Sequence, residues 1–265
     1  MPVASDTDGL DAADRADGDS AGERAADALP INELFCSLQG EGRLAGVPSV
    51  FVRTSGCNLR CWFCDSYHTS WEPTGDWYGV DDVLAAVSEY DADHVVFTGG
   101  EPLVHDASVD LLEALAERGY HTTVETNGTI HRAAPIDLAS VSPKLASSTP
   151  TAERDPKGEG EWADRHEQRR LDVDVLGRFV EDYDTQLKFV VTGPEDMPEI
   201  EGLVADVRVT ADTPLPDDRV LLMPEGQTRD ELTETRRVVA DLAVEYGYRY
   251  TPRLHVDLWN DAPGT

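Results

Sequence analysis

The sequence predicts an α/β fold in which parallel strands form a closed or an open barrel. Short apolar runs rich in β-branched residues alternate along the chain with longer segments whose apolar residues recur at helical spacing. Each apolar run ends in Gly, Pro or polar residues, as strands do where they leave a sheet. An alternation of strands and helices favours a parallel sheet covered by helices.

The predicted elements follow in order from residue 29. The first strand, SVFVR (49–53), is apolar and β-branched, and the first helix (80–90) has apolar residues at helical spacing. A second helix (107–120) stops at Gly119. The other predicted strands span residues 94–102, 121–128, 136–144, 186–196, 218–226 and 248–259, and the last predicted helix spans 231–246.

Polar residues at the ends of four predicted strands mark where chemistry is expected, because parallel α/β barrels carry their sites at the carboxyl ends of strands. These ends are Thr98-Gly99-Gly100-Glu101, Glu125-Thr126-Asn127, Ser142-Pro143-Lys144 and Met223-Pro224-Glu225-Gly226.

Two segments depart from this order. Residues 1–28 are acidic and poor in large apolar side chains, which predicts a disordered tail before a folded domain at 29–265. Residues 145–175 are polar and contain Pro and Gly, which predicts a surface insertion that is helical near its end.

The charge balance excludes some partners. Lys and Arg number 22 against 52 Asp and Glu, a net charge of −30, which disfavours binding to nucleic acid. The acids are spread along the chain, which favours a protein of a high-salt cytoplasm over one with a specific acidic interaction surface. No apolar run is long enough for a bilayer, and no signal peptide is recognisable, so we expect a cytoplasmic protein without a membrane partner.

Three of the four cysteines lie within eight residues, as Cys57-x3-Cys61-x2-Cys64. Crowded thiols suit a metal rather than disulfides, and two interpretations remain open from the spacing. His68 completes a Cys3His structural zinc site, or the cysteines bind three irons of a [4Fe–4S] cluster and leave the fourth iron open. The fourth cysteine, Cys36, is expected to be a small buried apolar residue.

The cysteine motif, followed by Gly99-Gly100-Glu101-Pro102 at a strand end, resembles the radical S-adenosylmethionine superfamily. The resemblance implies an incomplete TIM-like barrel, a [4Fe–4S] cluster whose open iron binds S-adenosylmethionine, and reductive cleavage of that cofactor to a 5′-deoxyadenosyl radical. In the superfamily the Gly-Gly-Glu-Pro segment receives the amino group of S-adenosylmethionine, and the carboxylate of Glu101 is expected to offset its positive charge.

A more specific resemblance covers most of residues 31–259. The segments 31–66, 95–103, 124–129, 142–144, 187–191 and 253–259 are similar to those of the 7-carboxy-7-deazaguanine synthase family. This resemblance implies a lyase that converts 6-carboxy-5,6,7,8-tetrahydropterin to 7-carboxy-7-deazaguanine with loss of ammonia, on the route to the deazapurine nucleosides of tRNA. An activase that installs a glycyl radical is the enzyme alternative, and a zinc-stabilised Cys3His binding protein is the alternative from another class.

The resemblance also implies roles for individual residues. Cys57, Cys61 and Cys64 match the cluster ligands, and Leu38, Gln39, Gly40, Arg53 and Thr98 match substrate contacts. Contacts to S-adenosylmethionine are matched by Phe63, Cys64, Asp65, Gly100, Ser142, Pro143 and Lys144, and more weakly by Met223, Pro224, Glu225 and Gly226.

Several of these residues have an ordinary structural alternative. The planar guanidinium of Arg53 suits a pterin carboxylate, although an arginine at a strand end is often simply solvated. Lys144 is one of only three lysines, and it could also be a solvated strand-end residue. His255, on the predicted last strand, suits a core position and a substrate contact equally. Matching segments also contain residues without an assigned role: Glu41, Glu125, Asn127 and Lys188.

Ser66 departs from the pattern of the family, which usually has Thr at this position with its hydroxyl on a Mg²⁺ ion. Serine keeps the hydroxyl and loses a methyl group, so Ser66 is predicted to bind Mg²⁺ with a less restrained rotamer. The resemblance further implies a homodimer and an electron donor such as flavodoxin or ferredoxin.

Overall fold

The computed structural model describes residues 27–158, 160–260 and 262. Their strands form one sheet in the order β3-β1-β2-β4-β5-β6-β7-β8-β9. The strands are β1 (Ala28–Leu38), β2 (Pro48–Thr54), β3 (Asp76–Gly79), β4 (His94–Gly99), β5 (His121–Thr126), β6 (Leu138–Val141), β7 (Thr185–Val191), β8 (Val220–Pro224) and β9 (Arg249–Tyr250). The helices are α1 (Tyr67–Ser70), α2 (Val80–Val87), α3 (Ser108–Glu117), α4 (Ala163–Arg169), α5 (Val173–Asp182), α6 (Met197–Thr210), α7 (Arg229–Tyr246) and α8 (Leu254–Trp259).

The sheet is parallel from β2 to β9, and an antiparallel pair extends one edge. β2, β4, β5, β6, β7, β8 and β9 pair in parallel in that order, whereas β1 runs antiparallel to both β2 and β3. Among the described residues the two outer strands, β3 and β9, do not pair with each other. The prediction of an incomplete α/β barrel is therefore confirmed, with the carboxyl ends of the parallel strands on one rim.

The core lies between the sheet and the helices that connect its strands. The parallel strands are buried along most of their length, as expected for a parallel sheet that is covered on both faces. Local signals fix the helices: Asp172 caps α5 by accepting from Val175 N, and Thr228 and Glu231 form a capping box at the start of α7. Gly247, at φ 73°, ends α7 in the left-handed conformation that glycine tolerates.

The structure differs from the sequence predictions at both ends of the chain. β1 begins at Ala28, within the predicted acidic tail, and neither β1 nor β3 was predicted. Residues 1–26 of that predicted tail lie outside the described residues. The predicted last strand (248–259) is wrong: only Arg249–Tyr250 is a strand, and Leu254–Trp259 forms α8. Pro252 lacks an N–H donor, which helps to separate the two elements.

The segment 145–175 is more than the predicted surface insertion. It contains a 3₁₀ turn at Ala146–Ser148 and helix α4, so its predicted helical end is confirmed. Ser148 and His166 within it are fully buried. Part of the segment therefore packs against the domain.

Two further expectations concern burial and membranes. Cys36 lies in β1 and is only half-buried, so it is not the core residue that was expected. In the part of the chain that the structure describes, no helix combines the length and the apolar character that crossing a bilayer requires.

Candidate active site

A cavity of about 440 Å³ opens at the carboxyl ends of the parallel strands. This volume is typical of a site for small molecules. Of the predicted site residues, those on its lining are Leu38, Gln39, Gly40, Arg53, Cys57, Cys61, Phe63, Cys64, Asp65, Ser66, Thr98, Gly100, Ser142, Lys144, Met223 and Glu225. Three predicted residues are not on the lining: Pro143, Pro224 and Gly226. The carbonyl oxygen of Gly226 instead accepts a hydrogen bond from Arg253 Nη1 at 2.6 Å.

The three clustered cysteines lie on the loop that joins β2 to α1. Hydrogen-bond donors surround their sulfurs: Leu59 N lies 3.4 Å from Cys57 Sγ, and Ser70 Oγ lies 3.1 Å from Cys64 Sγ. The side-chain amide of Asn127 lies 4.0 Å from Cys57 Sγ. Such donors stabilise thiolates, which are the form that binds metal.

The chemistry of this loop fits an iron–sulfur cluster. Burial raises the pKa of Cys57 to about 12 and also raises the pKa values of Cys61 and Cys64. All three thiols resist ionisation, but only the ionised thiolate binds metal. A cation beside them favours the thiolate form, and the irons of a cluster supply that positive charge. The zinc alternative needs His68 beside them, but the ring of His68 is half-exposed, with Nε2 3.9 Å from Glu33 Oε2.

The glycine pair at the end of β4, Gly99 and Gly100, allows the backbone to approach the cysteine loop. A Cβ atom on Gly99 would overlap the backbone of Thr54, and one on Gly100 would overlap the carbonyl of Gly56. Gly99 also has φ 149°, a conformation that side chains disfavour. The Glu101 N–H donates to Gly56 O at 2.9 Å, so the two strand ends are joined directly.

The carboxylate of Glu101 does not lie where the sequence predicted. It is fully buried and off the cavity lining, and it accepts hydrogen bonds from Thr126 Oγ1 (2.8 Å), Asn127 N (2.7 Å) and Leu103 N (3.1 Å). Burial raises its pKa to about 7 even though these donors oppose the rise. Glu101 therefore joins the ends of β4 and β5, and its expected role opposite an ammonium group has no support in this geometry.

Lys144 lies on the cavity lining beside the cysteine loop. Its Nζ donates to Ser142 Oγ at 2.6 Å, and its charge favours the ionised forms of Cys61 and Cys64. On the opposite side, the Gln227 amide lies 3.4 Å from the carbonyl of Phe63, which connects the end of β8 to the same loop. We refer to Cys57, Cys61, Cys64, Gly99 and Gly100 as the cysteine wall of the cavity.

Another part of the cavity lining is polar and strongly charged. Glu125 Oε1 accepts from Gln39 Nε2 at 3.2 Å, and its Oε2 accepts from Thr98 Oγ1 at 3.0 Å. Two predicted substrate contacts thus share one carboxylate. Lys188 Nζ lies 3.7 Å from Glu125 Oε1 and donates to Glu41 Oε2. The amide orientation of Gln39 is consistent with this network, because its Oε1 accepts from Glu41 N at 3.1 Å.

Arg253 extends this network to the cysteine loop. Its Nε lies 3.1 Å from Glu41 Oε1, and its Nη2 donates to Asp65. Burial alone would raise the pKa of Glu41, but Lys188 and Arg253 outweigh it and hold that pKa well below its usual range. We refer to Glu41, Asp65, Glu125, Lys188 and Arg253 as the charged wall.

Two neighbouring side chains fix the guanidinium group of Arg53 in the absence of a ligand. Its Nε lies 2.8 Å from Glu33 Oε2, and its Nη1 donates to Ser66 Oγ at 2.7 Å. Asp65 Oδ1 lies 3.3 Å from the same serine hydroxyl. The predicted carboxylate-binding arginine and the predicted magnesium ligand are therefore direct neighbours on the cavity lining.

His255 lies on α8 rather than on the predicted alternating strand. Its ring packs against Gly40, where a Cβ atom would overlap Nδ1. Leu254 N donates to Gly40 O at 2.8 Å, and Gly42 N donates to Thr251 Oγ1 at 2.7 Å. The Gly40 predicted as a substrate contact thus also makes room for the C-terminal helix.

Sequence reasoning missed Arg253 and left Glu41, Glu125 and Lys188 without roles. The available signal was the scarcity of lysine, which singles out Lys188, whereas nothing local in the sequence marks Arg253. Asn127, also left without a role, lies on the cavity and donates to Asn58 Oδ1 at 2.9 Å, which links β5 to the cysteine loop.

Several known proteins are similar to this chain in sequence and in fold. Residues 51–146 match the radical SAM superfamily. The chain is 68% identical over 266 residues to the 7-carboxy-7-deazaguanine synthase of Halobacterium salinarum, and the match covers 100% of both chains. It is 41% identical over 239 residues to the enzyme of that name from Rhodopirellula baltica, covering 90% of this chain and 89% of the relative.

A solved structure agrees with these matches. The crystal structure of QueE from Escherichia coli superposes with a TM-score of 0.58 at 26% identity, covering 86% of this chain and 95% of the other. Together with the thiol-lined cavity at the strand ends, these matches show that the chain belongs to the 7-carboxy-7-deazaguanine synthase family of the radical SAM superfamily.

Proposed function

We propose that this protein converts 6-carboxy-5,6,7,8-tetrahydropterin to 7-carboxy-7-deazaguanine, with loss of ammonia. The observation that carries the proposal is the full-length identity to a relative of that name. The cavity supports it, because one space brings the three cysteines together with the charged wall. The family membership disfavours the activase alternative, and the position of His68 disfavours the zinc alternative.

Cys57, Cys61 and Cys64 would hold the cluster. Phe63, Asp65, Gly100, Ser142, Lys144, Met223 and Glu225 lie on the same cavity and are proposed to contact S-adenosylmethionine. Pro143, Pro224 and Gly226 would act through their neighbours, because they lie off the lining. When bound, the cluster and S-adenosylmethionine supply the one-electron chemistry that generates a carbon-centred radical.

Residues that lie beside the charged wall would orient the substrate. Arg53, already aligned by Glu33 and Ser66, presents a planar guanidinium that suits a carboxylate. Gln39 and Thr98 offer amide and hydroxyl groups whose positions Glu125 fixes. Because these groups are held before binding, little ordering cost remains when the substrate enters. Leu38 and Gly40 would complete this contact surface.

Ser66 is proposed to bind Mg²⁺ through its hydroxyl. A hard cation prefers oxygen ligands, and the carboxylate of Asp65 lies beside that hydroxyl. The hydroxyl oxygen of Ser66 has two lone pairs, so it can bind a cation while it accepts the hydrogen bond from Arg53 Nη1. The test compares the magnesium dependence of turnover in the wild type, Ser66→Ala and Ser66→Thr. We expect Ser66→Ala to need several-fold more Mg²⁺ and Ser66→Thr to need no more than the wild type. An unchanged dependence in Ser66→Ala would refute the assignment.

The proposed reaction is tested by an anaerobic assay with the carboxytetrahydropterin, S-adenosylmethionine, a chemical reductant and Mg²⁺. The expected result is one deazaguanine product and one ammonia per substrate consumed. A chain with a full cluster that cleaves S-adenosylmethionine but forms no deazaguanine would overturn the substrate and leave the superfamily in place. The assay should be run at high and low salt, because the net charge of −30 leads us to propose a high-salt cytoplasm.

We further propose that the product enters the synthesis of deazapurine nucleosides of tRNA. A flavodoxin or ferredoxin would supply the electron, and two chains would form a homodimer. Size-exclusion chromatography with light scattering tests the dimer directly, and reduction by each purified donor protein tests the electron source.

A further inference from the structure

The open sheet is connected across its gap by residues that follow its last strand. The loop 39–47, which joins β1 to β2, lies near one edge of the sheet, and β9 forms the other edge. Gly42 N in this loop donates to Thr251 Oγ1, just after β9, at 2.7 Å. We refer to residues 39–47 together with 251–254 as the seam. In the part of the chain that is described, hydrogen bonds in the seam, rather than strand pairing, join the two edges.

Arg253 connects three loops through the seam. The residue is buried, with 6% of its surface exposed. Its Nε lies 3.1 Å from Glu41 Oε1, its Nη2 donates to Asp65, and its Nη1 donates to Gly226 O at 2.6 Å. These three partners follow β1, β2 and β8, respectively. Because a guanidinium is planar and rigid, one side chain fixes the relative positions of loops from both sides of the gap.

The partners of Arg253 belong to both proposed ligand sites. The backbone N–H of Glu41 donates to Oε1 of Gln39, a proposed substrate contact, at 3.1 Å. Asp65 is a proposed contact of S-adenosylmethionine, and Gly226 adjoins Glu225, another such contact on the cavity lining. The position of the substrate relative to the cofactor therefore depends on the seam.

We propose that Arg253 and Thr251 are positioning residues that align the bound substrate with S-adenosylmethionine. A displacement of about 1 Å between reacting groups can lower a rate by about a hundredfold. A loosened seam leaves each ligand with its own contacts but lets their relative position vary. Cofactor cleavage then occurs more often without product formation. The alignment rests on the proposed function, because it requires both ligands in the cavity.

The first measurement is hydrogen–deuterium exchange of the full chain, purified anaerobically, with no ligand added. Arg253→Lys keeps the charge but loses the planar fork that reaches three partners. Thr251→Val keeps the shape of the side chain but leaves the N–H of Gly42 without its acceptor. We expect the amides of residues 39–47 to exchange about tenfold faster in Arg253→Lys and several-fold faster in Thr251→Val.

Arg236→Lys is the matched control for the arginine. Arg236 contacts α8 from α7, with Nη1 3.3 Å from Asp257 Oδ1, and it does not line the cavity. This contact lies on one side of the gap only. The loop 39–47 should therefore exchange in Arg236→Lys as it does in the wild type.

The second measurement is the ratio of 5′-deoxyadenosine to deazaguanine in the anaerobic assay with both ligands. Each cleavage without product consumes one electron from the chemical reductant and releases methionine, and a hydrogen donor in the buffer supplies the hydrogen atom that 5′-deoxyadenosine gains. A smaller amount of folded enzyme does not change this ratio, so a purely structural role would leave it constant. We expect a rise of about tenfold in Arg253→Lys and about threefold in Thr251→Val, with KM for the pterin within about twofold of the wild type.

The outcomes separate this inference from the proposed function. Wild-type exchange of the loop 39–47 in both Arg253→Lys and Thr251→Val would overturn the inference, and so would a wild-type product ratio in both. A wild-type chain that cleaves S-adenosylmethionine but forms no deazaguanine would overturn the proposed function, and the exchange measurement would still decide whether the two residues hold the seam. If Arg253→Lys does not fold, Thr251→Val decides, because it removes one hydroxyl that does not line the cavity.

Discussion

The cysteine wall and the charged wall face the same cavity, but they are assembled differently. The three cysteines of the first wall lie within eight residues of one loop, and its two glycines lie at the end of a single strand. The second wall brings together side chains as far apart in sequence as Glu41 and Arg253, 212 residues. The cysteines of the first wall are therefore close together in the sequence, and their proposed role depends on a bound metal. The charged wall is stabilised by ion pairs among its own side chains, which come together only in the folded chain.

The largest expected effect is on the cysteine wall. Cys57→Ala removes one of the three proposed thiol ligands, so we expect loss of most bound iron and of all measurable turnover. Iron analysis and the visible absorbance of the anaerobic protein measure this effect. Cys36→Ala is the control, because that half-buried cysteine lies in β1 and off the cavity lining. Retention of a full cluster by Cys57→Ala would contradict the assignment of the ligands.

Next in size is the effect of breaking the charged wall. Lys188→Met keeps the length of a side chain that is only 5% exposed but leaves Glu41 and Glu125 without their shared cation. Removing one partner of a buried ion pair costs about 3–5 kcal/mol of stability. Urea unfolding measures the cost, with Lys157→Met as control, since that lysine is 46% exposed. Equal losses in the two variants would show that the charged wall contributes no specific stability.

A smaller effect, dependent on pH, belongs to Glu101 beside the cysteine wall. Burial raises its pKa from 4.5 to about 7, so between these values the folded chain binds more protons than the unfolded chain. The free energy of unfolding should therefore fall as pH rises from 4.5 to 7, by at most about 3 kcal/mol. Glu101→Gln should lose this dependence. Urea unfolding at several pH values tests it, and Glu117→Gln, exposed on α3, is the control.

If Glu101→Gln keeps the wild-type pH slope, the buried carboxyl is already ionised in the folded chain. The three donors from Leu103, Thr126 and Asn127 would then outweigh burial.

The smallest expected effect is at Arg53, which lies on the cavity lining beside Ser66. Arg53→Lys keeps the charge but loses the planar fork, so we expect KM for the pterin to rise about tenfold, with iron content unchanged. Steady-state kinetics of the anaerobic enzyme measure this change. Arg43→Lys is the control, because Arg43 pairs with Asp184 and does not line the cavity. A changed kcat with an unchanged KM would assign Arg53 to another role.

Sequence reasoning succeeded where the determinants are contiguous. The cysteine spacing, the glycine pair and the strand ends are local patterns, and the structure places Cys57, Gly100 and Ser142 on one cavity. The reasoning failed at β1 and α8, because their burial depends on distant partners. The prediction that Glu101 faces the cofactor had no support from the local pattern, because that pattern does not specify the direction of the side chain. Its position is set by donors on β5.

The sequence by itself determined the alternation of strands and helices, the family and the gathering of three cysteines in one segment, because each depends on residues close together in the chain. Only the tertiary structure decided that Lys188 and Arg253 share Glu41, and that His166 reaches the backbone beside Cys61. Such contacts join residues more than 100 positions apart, and no local pattern specifies them. They form because a buried charge or a buried N–H costs free energy until folding supplies its partner.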